Sequence, residues 1–298
     1  MSKGVRAVNS LEEKLDLLKN IIAGYGGVIV AYSGGVDSTY LAKVASDVLG
    51  ENSLAVTASS ETYPRHEVDY ARELAHSLGL RHQIIYTEEL DNKHFAANPP
   101  ERCYICKNEL FGKLVALAKQ HNLPYVIDGS NCDDLSDFRP GARAGRELGI
   151  KSPLQETGFT KEDIRQLSKT MGLPTWNKPS FACLSSRFPY GEQITREKLI
   201  MVSNAEDYLR SLGVKQLRVR HHDKLARIEL AVEDFNKILD VNADIVQVFK
   251  KIGYKYITLD LHGYRTGSMN EVLESDIIEK ERPYQPKDII NIVSKGGD

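Results

Sequence analysis

The chain has 298 residues, 41% of them apolar, and its 39 Lys and Arg against 41 Asp and Glu leave a net charge of −2. That length suits one large domain or two modest ones and provides a substantial core without covalent staples. The near-neutral balance argues against a partner as large and anionic as tRNA, and no apolar run approaches the roughly 20 residues of a membrane span. Residues 1–10 carry no apolar signal core, so the expected location is the cytoplasm.

In chain order, Asn9 and Ser10 can cap a helix whose Leu11, Leu15, Leu18 and Ile22 form one apolar stripe. The pattern then alternates: strand 28–32, helix 38–49, strand 54–58, helix 65–78, strand 82–86, helix 107–121 and strand 125–128. This rhythm predicts an α/β fold with a doubly wound parallel sheet that binds ligands at the strands' carboxyl ends. Trp176 to Ser180 reads as a connecting segment. A second, smaller α+β domain follows, with helix 195–212, strands 216–221 and 225–230, helix 232–252, strand 256–260 and a terminal helix near Lys287 to Val293. The expected division is 1–178 and 179–298.

Ser33-Gly34-Gly35-Val36-Asp37-Ser38 lies between the first strand and its helix. The glycines permit a sharp turn, backbone amides and the helix N-terminus face an anion, and Ser33 and Ser38 add hydroxyls. Asp37, a carboxylate beside phosphates, calls for a bridging Mg²⁺. The missing Gly-Lys-Ser/Thr ending excludes a Walker-type loop. The hexapeptide resembles the signature of the PP-loop ATP pyrophosphatases, which adenylate a substrate oxygen and release pyrophosphate. Ser59 and Ser60 end the second strand where such folds hold adenine, although any polar strand end looks the same. Asp128 to Asp134 gathers carboxylates after the fourth strand: Gly129 is a candidate ATP contact and Asp134 a candidate Mg²⁺ ligand, with an acidic capping turn as the alternative.

Cys103 and Cys106 have the CxxC gap that lets two thiolates share a metal centre, and Lys107 follows them, either stabilising negative charge or simply solvated. Cys183 is the natural third ligand if the connecting segment folds back over the loop. Three thiolates leave one iron of a [4Fe-4S] cluster open for a sulfide. Adding Cys132 would instead make a four-thiolate zinc site, and plain buried thiols are the remaining reading.

The run from Asn177 through Cys183 to Gly191, with Asp137 to Gly141, Arg218 to Leu230 and Leu259 to Gly267, resembles the LarE family of ATP-dependent sulfur transferases over nearly the whole chain. The resemblance implies a substrate, pyridinium-3,5-biscarboxylic acid mononucleotide, whose carboxylates become thiocarboxylates for the nickel-pincer cofactor of lactate racemase. Some members sacrifice the sulfur of one cysteine, matching Cys183; others hold a [4Fe-4S] cluster on three. Cys103 and Cys106 place this chain with the second type, leave Cys132 without a role and leave the sulfide source open. A homo-oligomer is implied as well.

Arg218 and Arg220 alternate on one strand and so share a face, and Ser186 and Arg187 follow the third cysteine. These four are candidate contacts for the substrate's phosphate or carboxylate, with Glu229 on the adjacent strand orienting an arginine. A solvated stripe of strand arginines is the competing expectation. Thiolation of tRNA, an ammonia-using amide ligase and a zinc-stabilised regulator are the alternative functions.

Overall fold

The computed structural model describes residues 10–136, 139–179, 182–265 and 267–273; the segments 137–138, 180–181 and 274–298, with the expected terminal helix, lie outside them. Helix α1 (Leu11–Tyr25) opens on a capping box in which the Ser10 hydroxyl accepts from the Glu13 amide at 3.1 Å, and it stops at Gly26 in a left-handed conformation. Strand β1 (Val28–Ala31) then enters the centre of a four-stranded sheet ordered β3-β2-β1-β4, where β2 is Ser53–Ser59, β3 His82–Tyr86 and β4 Tyr125–Ile127. All pairings are parallel, with Val30 opposite both Ala55 and Ile127.

A parallel sheet is covered on both faces, which is why β1 is continuously apolar. Val28 and Val30 pack with α1, α2 (Val36–Leu49) and α8 (Lys161–Thr170), whereas Ile29 packs with Leu110, Phe111 and Leu114 of α5 (Arg102–Gln120) on the other face. The chain winds from β1 outward to β3, then returns to place β4 on β1's other side. That reversal opens a crevice at the carboxyl ends of β1 and β4, where the Ser33 loop begins.

The second sheet, ordered β5-β6-β7, joins the antiparallel pair β5 (Leu217–His222) and β6 (Leu225–Leu230) to a parallel β7 (Tyr256–Leu259). Its hairpin turns at Asp223-Lys224, with Asp223 at φ 51°. Helix α9 (Arg196–Ser211) covers it through Ala205 and Leu209. A separate cluster of Phe95, Leu184, Phe188, Ile194, Leu199 and Val202 fastens the connecting segment between the two sheets.

Three expectations shift. Helix α5 begins at Arg102 rather than 107, so the CxxC pair occupies its first turn. The expected helix 232–252 divides into α10 (Phe235–Leu239) and α11 (Asn242–Ile252), because Asp240-Val241-Asn242 is a run of weak helix formers and Val241 leaves the helical region. Helices α6 (Pro140–Glu147), α7 (Pro153–Glu156) and α8 were not anticipated; they are short or polar, and only the Thr160–Asp163 capping box announces one.

Candidate active site

The Ser33 loop is shaped by contacts that only glycine permits. Gly34 has φ +67°, and a Cβ there would sit 3.0 Å from Ala71 Cβ on α3 (Arg65–Ser77). Gly129, at the end of β4, approaches so closely that a Cβ would lie 3.0 Å from the Ser38 amide. Ser38 is buried; its hydroxyl accepts from the Ser33 amide at 3.2 Å and donates to the Gly35 carbonyl at 3.3 Å. The loop is therefore pre-formed, with α2 starting at Val36 directly behind it. Gly34→Ala adds a left-handed alanine, costing about 1–2 kcal/mol, and the Ala71 contact; isothermal titration with ATP is expected to show at least about a tenfold loss of affinity.

Asp37 faces the crevice. Its carboxylate accepts from Asn131 Nδ2 at 3.4 Å and pairs with Lys161, whose backbone amide also donates to Asp133 at 2.8 Å. On the loop's opposite side Lys178 Nζ donates to the Gly34 carbonyl at 3.3 Å and to Glu67 at 2.8 Å. Two lysines that the sequence did not single out thus flank the phosphate loop. Asp134 pairs with Arg139 at 2.7 Å, and burial pushes its carboxyl up, with the Asp37 charge adding to the shift. Two neighbouring carboxylates are a donor set of the right chemistry for Mg²⁺. Past the end of β2, Ser60 donates to the buried Glu89 at 2.6 Å, as does Thr62 at 2.6 Å. The Ser60 hydroxyl is thus engaged by protein, and Ser59 ends β2 beside it.

Tyr63 and Glu89 sit among Cys103, Cys106 and Cys183, close enough for their charges to act on one another. Burial pushes the Tyr63 phenol up, and Cys106, Cys183, Glu89 and Cys103 add to that shift. Burial likewise raises the Cys106 and Cys103 thiols; Lys107 opposes both shifts, and Arg102 is the stronger opposing cation at Cys103. Cys103 is exposed to solvent, whereas Cys106 and Cys183 are half-buried. The Cys183 segment is tied to the end of β2 through the Leu184 amide, which donates to the Thr62 carbonyl at 2.8 Å. Cys132 lies elsewhere, its thiol 3.8 Å from the Gln155 carbonyl and surrounded by Lys14, Asp133 and Asp163. The four-thiolate zinc alternative is corrected on that ground. The three thiols match an iron–sulfur centre in donor type; among the described residues no group of three or more His, Cys, Asp or Glu side chains is placed to hold a metal ion.

Arg187 is placed differently from the expectation of a ligand-facing guanidinium. It is fully buried; Nε and Nη2 donate to Glu206 at 2.8 and 2.9 Å, and Nη1 donates to the carbonyls of Ala182 and Cys183 at 2.7 and 3.1 Å and to Ser186 Oγ at 2.9 Å. Glu206 also accepts from Arg210 at 2.7 Å and from the Val219 amide at 3.0 Å. Arg218 and Arg220 do share one face, but they are buried, so the solvated stripe is excluded. Arg220 pairs with Glu229 at 2.7 Å and donates to the Ser186 carbonyl at 2.9 Å. Arg218 stacks over the Tyr264 ring at 5.2 Å, and burial, with Arg187 nearby, pushes its guanidinium down to about 10.

The NAD synthase family profile matches residues 9–110. An uncharacterized protein of Synechocystis sp. is 49% identical over 88% of this chain and 99% of its own, and one of Methanocaldococcus jannaschii is 30% identical over 89% and 98%. The pyridinium-3,5-bisthiocarboxylic acid mononucleotide synthase of Lactiplantibacillus plantarum is 41% identical over 83% of this chain and 90% of its own length. The chain belongs to the LarE family of ATP-dependent sulfur transferases. As a LarE-family enzyme it carries a PP-loop, and Cys103, Cys106 and Cys183 lie in α5 and in the segment after α8. Sequence reading missed Tyr63, Glu89, Arg102, Lys161, Lys178 and Glu206 in this LarE-family site. Only Arg102, adjacent to Cys103, and Lys178, within the Asn177–Gly191 run, carried a local signal.

Proposed function

We propose that this enzyme adenylates the carboxylates of pyridinium-3,5-biscarboxylic acid mononucleotide and converts them to thiocarboxylates for the nickel-pincer cofactor of lactate racemase. The identity to the L. plantarum synthase carries the substrate assignment. The grouping of Cys103, Cys106 and Cys183 supports sulfur as the incoming atom.

Ser33, Gly34, Gly35, Ser38 and the α2 N-terminus hold the β- and γ-phosphates. Asp37 and Asp134 would hold Mg²⁺, which supplies Lewis-acid stabilisation of the phosphates. Lys161, exchanging Asp37 for phosphate, and Lys178 offset charge on the leaving pyrophosphate while a substrate carboxylate oxygen attacks the α-phosphorus. Ser186, Arg218 and Arg220 orient the anionic substrate, with Glu229 fixing Arg220. Arg187 acts indirectly, by holding the Cys183 backbone. Cys103, Cys106 and Cys183 would hold a [4Fe-4S] cluster, which supplies a sulfide at the iron that three thiolates leave open. Lys107 and Arg102 keep the surroundings of the thiols hospitable to anionic sulfur, and AMP departs as the carbon–sulfur bond forms.

A cytoplasmic homo-oligomer is part of the same reading; among the described residues, no helix is long and apolar enough to cross a membrane. Anaerobic purification followed by iron and acid-labile sulfide analysis of wild type, Cys103→Ala, Cys106→Ala and Cys183→Ala tests the thiol assignment. Iron and sulfide are expected in wild type and lost in each variant. Stoichiometric zinc without iron, or a cluster surviving all three substitutions, would sink it.

A further inference from the structure

Among the described residues, Arg102 is a buried cation without a carboxylate partner, and it donates a hydrogen bond to the Cys103 thiol. It is 4% exposed. Its Nη1 donates to the side-chain carbonyl of Asn98, its guanidinium lies 4.9 Å from the Tyr190 ring centroid, and its buried Nε has no hydrogen-bond partner. No carboxylate pairs with it among the described residues, in contrast to the buried Arg187 and Arg220, which meet Glu206 and Glu229. An uncompensated guanidinium in such a place costs several kcal/mol unless an anion meets it.

The position is rigid. Asn98, itself fully buried, donates to the carbonyls of Pro189 at 2.6 Å and Phe188 at 3.3 Å, and its own carbonyl accepts from the Gly191 amide at 2.9 Å. Arg102 is thereby locked between the first turn of α5 and the segment following Cys183. Its neighbour on the open side is Cys103, whose thiol feels Arg102 more strongly than any other cation. Lys107 adds a second positive charge, and the N-terminus of the 19-residue α5 adds a partial one.

We propose that Arg102 and the first turn of α5 form an anion site against Cys103, built to receive a small sulfur anion, the hydrosulfide ion, in front of the thiols. This rests on the sulfur-transfer reading of the three thiols and adds that the sulfur arrives already reduced and charged. The chemistry then balances without an oxidant: sulfur forms a bond to the adenylated acyl carbon, the carbon–oxygen bond to AMP breaks, AMP leaves with the electron pair, and the sulfur-borne proton goes to solvent. Arg102 is a positioning residue in this scheme.

The test needs neither ATP nor iron, so its outcome is separable from the function above. The alkylation rate of Cys103, followed by peptide mass spectrometry in the Cys106→Ser/Cys183→Ser background, is compared for anionic iodoacetate and neutral iodoacetamide. Thiol ionisation cancels in the ratio. Arg102→Gln is expected to lower the iodoacetate-to-iodoacetamide ratio about tenfold, whereas Arg102→Lys retains most of it. In the unsubstituted protein freed of iron by a chelator and reduced, at constant ionic strength, thiocyanate should protect Cys103 from iodoacetamide with saturation and thiourea should not, which covers the case of a variant that fails to fold. An unchanged ratio in folded Arg102→Gln, or no protection by thiocyanate, would overturn the proposal.

Discussion

Cys183→Ala is expected to abolish thiocarboxylate formation, with a loss on the order of a thousandfold or more, while pyrophosphate release from ATP stays within a few-fold of wild type. The two halves of the site have separate supports. The nucleotide loop is fixed by β1, α2, Gly129 and the Ala71 contact, and the connecting segment touches it through Lys178, five residues before Cys183. Cys183 precedes the turn Leu184–Arg187, which is held by the Leu184–Thr62 hydrogen bond and by Arg187 and Arg220. Removing one sulfur therefore leaves adenylation intact. Assays of AMP, pyrophosphate and thiocarboxylate in parallel check the separation. Cys103→Ala and Cys106→Ala refine it. If three thiols act as one centre, each loses as much as Cys183→Ala; if Cys183 alone gives up its sulfur, both retain a first turnover. Loss of pyrophosphate release in Cys183→Ala would contradict the separation itself.

Glu206→Gln should be the most destabilising single change near the site, by about 3–5 kcal/mol at pH 7, because it leaves Arg187 buried without its charge partner. Burial pushes the Glu206 carboxyl up, but Arg187 beside it, Arg210 and the Val219 amide outweigh that and hold it at about 2, against an ordinary 4.5. A carboxyl depressed in the folded state stabilises fully above its unfolded value, and the contribution disappears as pH falls towards the folded value. The depression corresponds to about 3 kcal/mol, present above roughly pH 4.5 and lost as pH approaches roughly 2. Urea denaturation at pH 7 and at successive pH values below 4.5 should show a gap between wild type and variant that narrows on acidification. A pH-independent gap, or one below about 1 kcal/mol at pH 7, would contradict the role given to this carboxylate. Loss of the clamp also frees the backbone of Ala182 and Cys183, so sulfur transfer should fall even where the variant is folded.

These two residues show where sequence reading stops. The Ser33 loop is legible because strand, turn and helix N-terminus are contiguous, and glycine has only a few reasons to be there. The thiols are legible in part: a CxxC spacing is local, and Cys183 could be added because few cysteines compete. The Cys132 placement, by contrast, depends on where β4 leaves the sheet. Arg187 looked like a ligand because its neighbours are polar and close to a cysteine, yet the carboxylate that neutralises it lies 19 residues away on α9. Lys161 and Asp37 are 124 residues apart, and only the return of the chain through α8 brings them together. Burial converts charged residues from ligands into struts or into unmet charges, and a linear pattern does not report it. Arg218 and Arg220 make the same point in reverse: alternation placed them on one face, but only the fold shows that the face is inward.

The central claim is that ATP activates a pyridinium carboxylate for displacement by sulfur. The most direct measurement incubates the anaerobically purified protein with ATP, Mg²⁺, hydrosulfide and pyridinium-3,5-biscarboxylic acid mononucleotide, and follows nucleotides by chromatography and the pyridinium product by mass spectrometry. AMP and pyrophosphate are expected in step with a product in which carboxylate oxygen is replaced by sulfur. Formation of ADP and phosphate, or of AMP only when tRNA replaces the pyridinium nucleotide, would contradict it.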